Sequence, residues 1–175
     1  MSKPTSEPTR EPWMRGTHAE LDALRRGVLH ALEHAEEDLE RWVAPLSQQA
    51  CFARPLGLPS VAFHLRHMAR SLDRLLTYAE DRMLDEHQLA QLGTEMHPGT
   101  LAEVLQEARQ GLQRARQRVV AFQPLEYELK RGIGRQRLPT TVGGLLVHCA
   151  EHTQRHAGQM VTTAKIVQQE ESQRA

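Results

Sequence analysis

Residues 140–167 read TTVGGLLVHCAEHTQRHAGQMVTTAKIV, and the spacing of apolar residues in this stretch decides the fold class. Thr140 or Thr141 supplies an N-cap hydroxyl, and no proline interrupts the chain beyond it, which predicts one long helix to about Gln169. Its seam is Val142, Leu145, Cys149, His152, His156, Gln159 or Met160, Thr163 and Val167, in the steps of three and four of a buried helix face. Two histidines thus replace aliphatic residues near the middle of the seam. At i and i+4 both imidazoles lie on one face, about a turn apart, and can reach one ion. Burying two such rings costs free energy unless each nitrogen has a partner. A divalent metal supplies that partner; hydrogen bonding inside the core is the other reading of the same pair.

Three further helices are legible upstream. Leu101, Leu105, Ala108, Leu112, Ala115, Val119 and Phe122 follow a capping box of Thr100 and Glu103 and stop before Pro124. Val61, Leu65, Met68, Leu72, Leu75, Ala79 and Met83 follow Ser60 as N-cap. Leu21, Leu24, Val28, Leu32, Ala35, Leu39, Trp42 and Leu46 follow Thr17, which forms a capping box with Glu20, and Pro45 limits this helix. The segment 46–59, with Pro55, Gly57 and Pro59, reads as a connecting loop. The stretch 85–99 is more polar and ends in a turn at His97, Pro98 and Gly99. Leu125 to Pro139 reads as a loop or a short irregular hairpin. Four amphipathic helices without a convincing strand pattern imply an all-α four-helix bundle over 17–170. Pro4, Pro8 and Pro12 among polar residues make 1–16 a disordered tail.

Composition narrows the function. The 22 Lys and Arg balance 22 Asp and Glu, so the basic excess of a nucleic-acid binder is missing. No apolar run approaches the roughly 18–20 residues that span a bilayer, so no membrane partner is expected. The opening MSKPTSEPTREP lacks the apolar segment of a secretory signal, and Cys51 and Cys149 cannot form a disulfide framework; both suit a reducing cytoplasm. The unusual count is ten histidines, against two Trp, two Tyr and three Phe.

Their placement matters more than their number. His64 and His67 flank the seam of the second helix and offer a third ligand, which with His152 and His156 would make an open, catalytic-type site. His148, Glu151 and His152 spell HxxEH, the inverted zinc-protease motif, whose further ligand belongs well downstream; this is the weaker reading. No Glu-x-x-His occurs, which disfavours a carboxylate-bridged di-iron centre. His30 and His34 lie off their stripe beside Glu37 and Arg41 and read as a solvated face. Cys149, a turn before His152, is a ligand or a small core residue. His18, His87 and His97 fall near helix ends or loops.

The segment His64-Leu65-Arg66-His67-Met68-Ala69, followed by Ser71-Leu72-Asp73-Arg74-Leu75-Leu76, resembles the first histidine motif of DinB-like proteins. Glu151-His152-Thr153-Gln154-Arg155-His156-Ala157-Gly158-Gln159 resembles their C-terminal His-x-x-x-His-x-Gly-Gln motif. The resemblance runs from about Thr17 to Val167 and keeps the helix order. It implies a four-helix bundle with a divalent metal on His67, His152 and His156. His64 and His148 become neighbours of the site, and Cys149, Gly158 and Gln159 belong to its pocket. Zinc or nickel comes first, with iron, cobalt and manganese open, since three imidazoles suit them all. Many members carry Arg after the last histidine, where this chain has Ala157. Arg155, or Lys130, Arg131, Arg135 and Arg137, are then candidates for an anion contact.

Characterised members of that family are metal-dependent thiol S-transferases or isomerases that use low-molecular-weight thiols such as bacillithiol or mycothiol; others are labelled metal-dependent hydrolases. The resemblance therefore implies an enzyme, often dimeric, that activates a thiol toward a small electrophile. A hydrolase, or a non-catalytic metal-stabilised bundle that binds a ligand, are the alternatives. Hydrolysis ranks lower because Glu151, next to His152, points about 100° away around the helix and is a poor general base. Gly158 leaves room for a substrate or permits close helix packing, and Gly143 and Gly144 carry the same two readings.

Overall fold

The computed structural model describes residues 10–174. Six helices and one two-stranded sheet are present among them: α1 (Ala23–Trp42), α2 (Gln48–Phe52), α3 (Val61–Ala79), α4 (Glu86–Ala90), α5 (Leu101–Ala121), β1 (Lys130–Ile133), β2 (Leu138–Thr141) and α6 (Val142–Arg174). The four long helices form the bundle: α6 packs against α1 and α3, and α5 against α3 and α1. The short α2 and α4 lie in the segments expected to be irregular.

Residues 1–9 of the expected tail lie outside the described residues. From Arg10 onward the chain is folded back, with a 3-10 turn at Pro12–Met14, Pro12 buried, and Arg15 paired with Glu37 of α1. The first long helix is capped by Asp22, not by Thr17. The Asp22 carboxylate accepts the amides of Leu24 and Arg25 at 3.0 and 3.2 Å, and its charge suits the positive end of the helix. Thr17 instead meets His30 Nε2 at 3.1 Å, and His18 adopts a positive φ of 59°. His30 is accordingly buried, at 8% exposure, where a solvated face was expected. Asp22 also accepts the Tyr127 hydroxyl at 2.8 Å and pairs with Arg25. Arg25 reaches on to the carbonyls of Val120 and Phe122 at 2.9 and 2.7 Å, closing the C-terminal end of α5.

Ser60 caps α3 as expected, accepting the Phe63 amide at 3.1 Å. Asp81, with φ 58°, turns the chain just past the helix, so Met83 leaves the seam and is 61% exposed. Thr100 and Glu103 form the expected capping box of α5. Close approach of α3 and α5 depends on Gly111, where a Cβ would stand 2.6 Å from the Cβ of Ala69. Leu125 to Pro139 resolves into an antiparallel hairpin pairing Lys130 with Thr141 and Ile133 with Leu138. Arg131 Nε ties it to the bundle by donating to the Ala79 carbonyl at 2.7 Å, at the negative end of α3.

Thr141 Oγ1 accepts the Gly144 amide at 3.1 Å at the start of α6. The buried line of this helix runs Leu146, Cys149, Thr153, Ala157, Met160, Ala164 and Val167. It is thus rotated by one residue from the expected seam at its centre. Thr153 and Ala157 are in the core, while His152 and His156 stand half-buried on its rim and Gln159 is exposed. Small side chains at 149, 153 and 157 let two helices approach α6 at once, which leaves the rings at the edge of the groove between α3 and α6.

Candidate metal centre

Each histidine of the site is placed by a helix stabilised elsewhere. The α3 seam, Leu65, Met68 and Leu72, is fully buried, which fixes the rotation of the helix and sets His67 on the flank facing α6. Across the groove the α6 core line does the same for His152 and His156. The rings of His67 and His156 lie 4.5 Å apart between centroids, those of His152 and His156 4.6 Å, and those of His67 and His152 5.0 Å. Each contributes a ring nitrogen to a set lying within 4.8 Å of one another.

The donors fit a divalent ion. His67 Nε2 and His152 Nε2 are 3.2 Å apart, and ligand nitrogens at about 2.0–2.1 Å from a tetrahedral ion stand about 3.3 Å apart. His152 Nδ1 is buried with no hydrogen-bond partner, so this ring is not a satisfied core histidine. Burial, with the neighbouring rings adding to it, pushes His152 down to about 3 and His156 to about 4. Burial also lowers His67. All three are therefore neutral at pH 7, the form that ligates.

The surrounding residues hold these rings. His64, 3% exposed and pushed down to about 4 chiefly by burial, puts Nδ1 3.1 Å from His156 Nδ1. Phe63 stacks on His67 at 5.4 Å and 12°. Glu95, buried in the loop after α4, places a carboxylate oxygen 3.6 Å from His67 Nδ1. A carboxylate behind a ligand histidine orients the ring and raises its basicity. Ser71 Oγ lies 3.4 Å from His67 Nε2 and accepts a bond from Arg74 at 3.1 Å.

The other expected site residues fall differently. His148 is half-exposed, with its ring 5.5 Å from that of His152 and Nδ1 3.5 Å from Glu151. Cys149 is in the hydrophobic core, where burial pushes its thiol up to about 12, so it behaves as a small apolar residue. Gly158 and Gln159 line a wide cleft of about 790 Å³ beside His156, together with Leu58, Phe63 and Arg155. A Cβ at Gly158 would meet nothing within 4 Å, so close helix packing is not its role; Gly143 does pack closely, on Tyr127. Arg155 pairs with Glu151, and Arg131 is held by Ala79. On the opposite side of the rings is a smaller lobe of about 270 Å³, lined by Arg74, Tyr78, His148 and His152 among others. The site thus opens in two directions.

Sequence reasoning missed Glu95, Ser71, Arg74 and Phe63. Ser71 and Arg74 stand four and seven residues after His67, so helical spacing alone could have put them on its face. Glu95 lies in a segment without periodicity and carried no signal.

A family model described as the DinB superfamily matches residues 31–160, more than half of the chain. No curated protein matches it.

Proposed function

The chain belongs to the DinB superfamily, whose members commonly bind metal, and from that premise we propose that it is a metal-dependent thiol S-transferase. His67, His152 and His156 would hold one divalent ion, zinc or nickel, and the substrates are a low-molecular-weight thiol and a small electrophile. One observation carries the reading: three neutral imidazoles, with no carboxylate among them, converge between two open lobes. When bound, a divalent ion with only neutral ligands keeps its full charge and acidifies a thiol or water toward neutral pH.

The chain's own groups account for the rest. His64 and Glu95 hold the His156 and His67 rings in place. Leu58, Pro59 and Phe63 give the wide cleft an apolar wall for the carbon skeleton of the electrophile. The thiol gives up its proton to solvent, its sulfur bonds to the electrophilic carbon, and the leaving group departs with the bonding pair. Hydrolysis has less support: Glu151 is exposed and engaged by Arg155 and His148, and Glu95 stands behind His67 rather than in front of it.

Purification without a nickel column, followed by elemental analysis, should give close to one equivalent of metal. Turnover with a panel of thiols and electrophiles should follow, and His156→Ala should abolish both. Less than about a tenth of an equivalent, with stability indifferent to chelator, removes the metal from the reading. Full metal content with turnover of esters but not of thiols assigns hydrolysis instead.

A further inference from the structure

The smaller lobe lies on the hairpin side of the triad, walled by Leu75, Leu84, Leu92 and Ile133. Into this mostly apolar surround α3 delivers one cation, Arg74, whose side chain is 14% exposed. Its Nη2 donates to Ser71 Oγ at 3.1 Å and forms a long ion pair with Glu95 at 3.7 Å, while Nη1 is buried with no acceptor. A guanidinium offers five N–H donors in a fixed fork, and a buried one lacking acceptors is costly. Arg66 and Arg116 also leave one buried Nε without an acceptor, but neither lines the lobe, and two other arginines are better supplied. Arg118 bonds Asp73, Thr77 and Glu80, and Arg25 bonds Asp22 and two backbone carbonyls. Five buried side-chain polar atoms among the described residues lack a partner. Two of them, on Arg74 and His152, belong to residues lining this one lobe.

Arg74 is also coupled to the site. The Glu95 oxygen nearest to it is the one 3.6 Å from His67 Nδ1, and Ser71 Oγ faces both Arg74 and His67. We propose that the smaller lobe binds a carboxylate of one substrate, with Arg74 as its anion partner and the apolar wall along its carbon chain, so that the substrate's reactive end lies against the three histidines. This rests on the thiol-transferase reading for the role of that substrate, but not for the binding of the anion. The shape of the guanidinium matches a carboxylate in two parallel bonds, and Arg74 is a specificity-determining residue rather than a source of chemistry.

Calorimetric titrations on metal-free and zinc-loaded protein test this with two probe pairs: 3-mercaptopropionate against 3-mercaptopropanamide, and phenylacetate against phenylacetamide. Each acid should bind at least about tenfold more tightly than its amide, a preference lost in Arg74→Gln and partly kept in Arg74→Lys. Leu92→Trp, on the exposed wall of the lobe, should block binding by filling it. Zinc that tightens only the mercapto acid makes the carboxylate the thiol's own, whereas zinc that affects neither acid assigns it to the electrophile. Equal binding of acid and amide, no binding of either acid, or a preference that survives Arg74→Gln overturns the proposal. Because the acid–amide preference is read in metal-free protein too, failure of the metal reading leaves it intact and is told apart by the metal content.

Discussion

Replacing Gly111 with Ala should damage the fold and the metal centre together. The added Cβ would stand 2.6 Å from Ala69 Cβ and 3.0 Å from Ala69 Cα. Carbon atoms sit comfortably at about 3.5–4.0 Å, so the contact is about 1 Å too short, and a helix backbone cannot swing aside as a long side chain can. Helix propensity favours Ala by about 1 kcal/mol, and overpacking costs about 1–3 kcal/mol. The balance runs from about zero to a loss of about 2 kcal/mol, relieved by α3 moving away from α5. That movement carries His67 relative to α6, and ligand geometry tolerates only about 0.5 Å, so zinc affinity should fall at least about tenfold. Gly27 in α1 is the control: a Cβ there meets nothing within 4 Å, and Gly27→Ala should gain about 0.5–1 kcal/mol with zinc affinity unchanged. Urea unfolding of metal-free protein and competitive zinc titration read the two effects. If Gly111→Ala matches Gly27→Ala in both, the α3–α5 contact does not position His67 and the reasoning fails.

Asp22→Ala should cost about 2 kcal/mol in urea, since it removes the α1 cap and leaves Arg25 buried without its carboxylate. Burial alone would raise the Asp22 carboxyl, but the bonds from Arg25 and Tyr127 outweigh it and hold it at about 2. The folded state therefore holds the proton less tightly than the unfolded chain: this contribution is complete above about pH 4 and is lost as pH falls toward about 2. Asp22→Asn should flatten that part of the stability–pH curve, and an unchanged slope would contradict the assignment. Glu95→Gln should weaken zinc binding by about 10–100-fold while leaving urea stability of the metal-free protein within about 1 kcal/mol; equal affinity for zinc would exclude an orienting role.

The bundle was readable because its signals are local. Ser60, Thr100 with Glu103, and Thr141 bond within their own first turns, and the three-and-four spacing of the seams needs no knowledge of neighbours. Thr17 misled because its capping pattern competes with Asp22 five residues on, and the charged cap with Arg25 and Tyr127 as further partners prevails. His30 misled because the chain before α1 folds back over it. The hairpin was ambiguous because four-residue strands carry little periodicity, and its hold on α3 through Arg131 is a contact over 52 residues of sequence.

The sequence by itself determined the helices and the histidine pairs one turn apart that make a metal ligand set conceivable, because helical spacing is a property of the local chain. The tertiary structure alone decided how far each helix is rotated. One step around α6 put Thr153 and Ala157 in the core and left His152 and His156 on the rim, facing His67. It also brought Glu95 behind His67 and left one guanidinium nitrogen of Arg74, Nη1, without an acceptor. Rotation depends on which neighbours pack on each side, and small residues at 149, 153 and 157 admit α1 and α3 together; no pattern within a single helix encodes that choice.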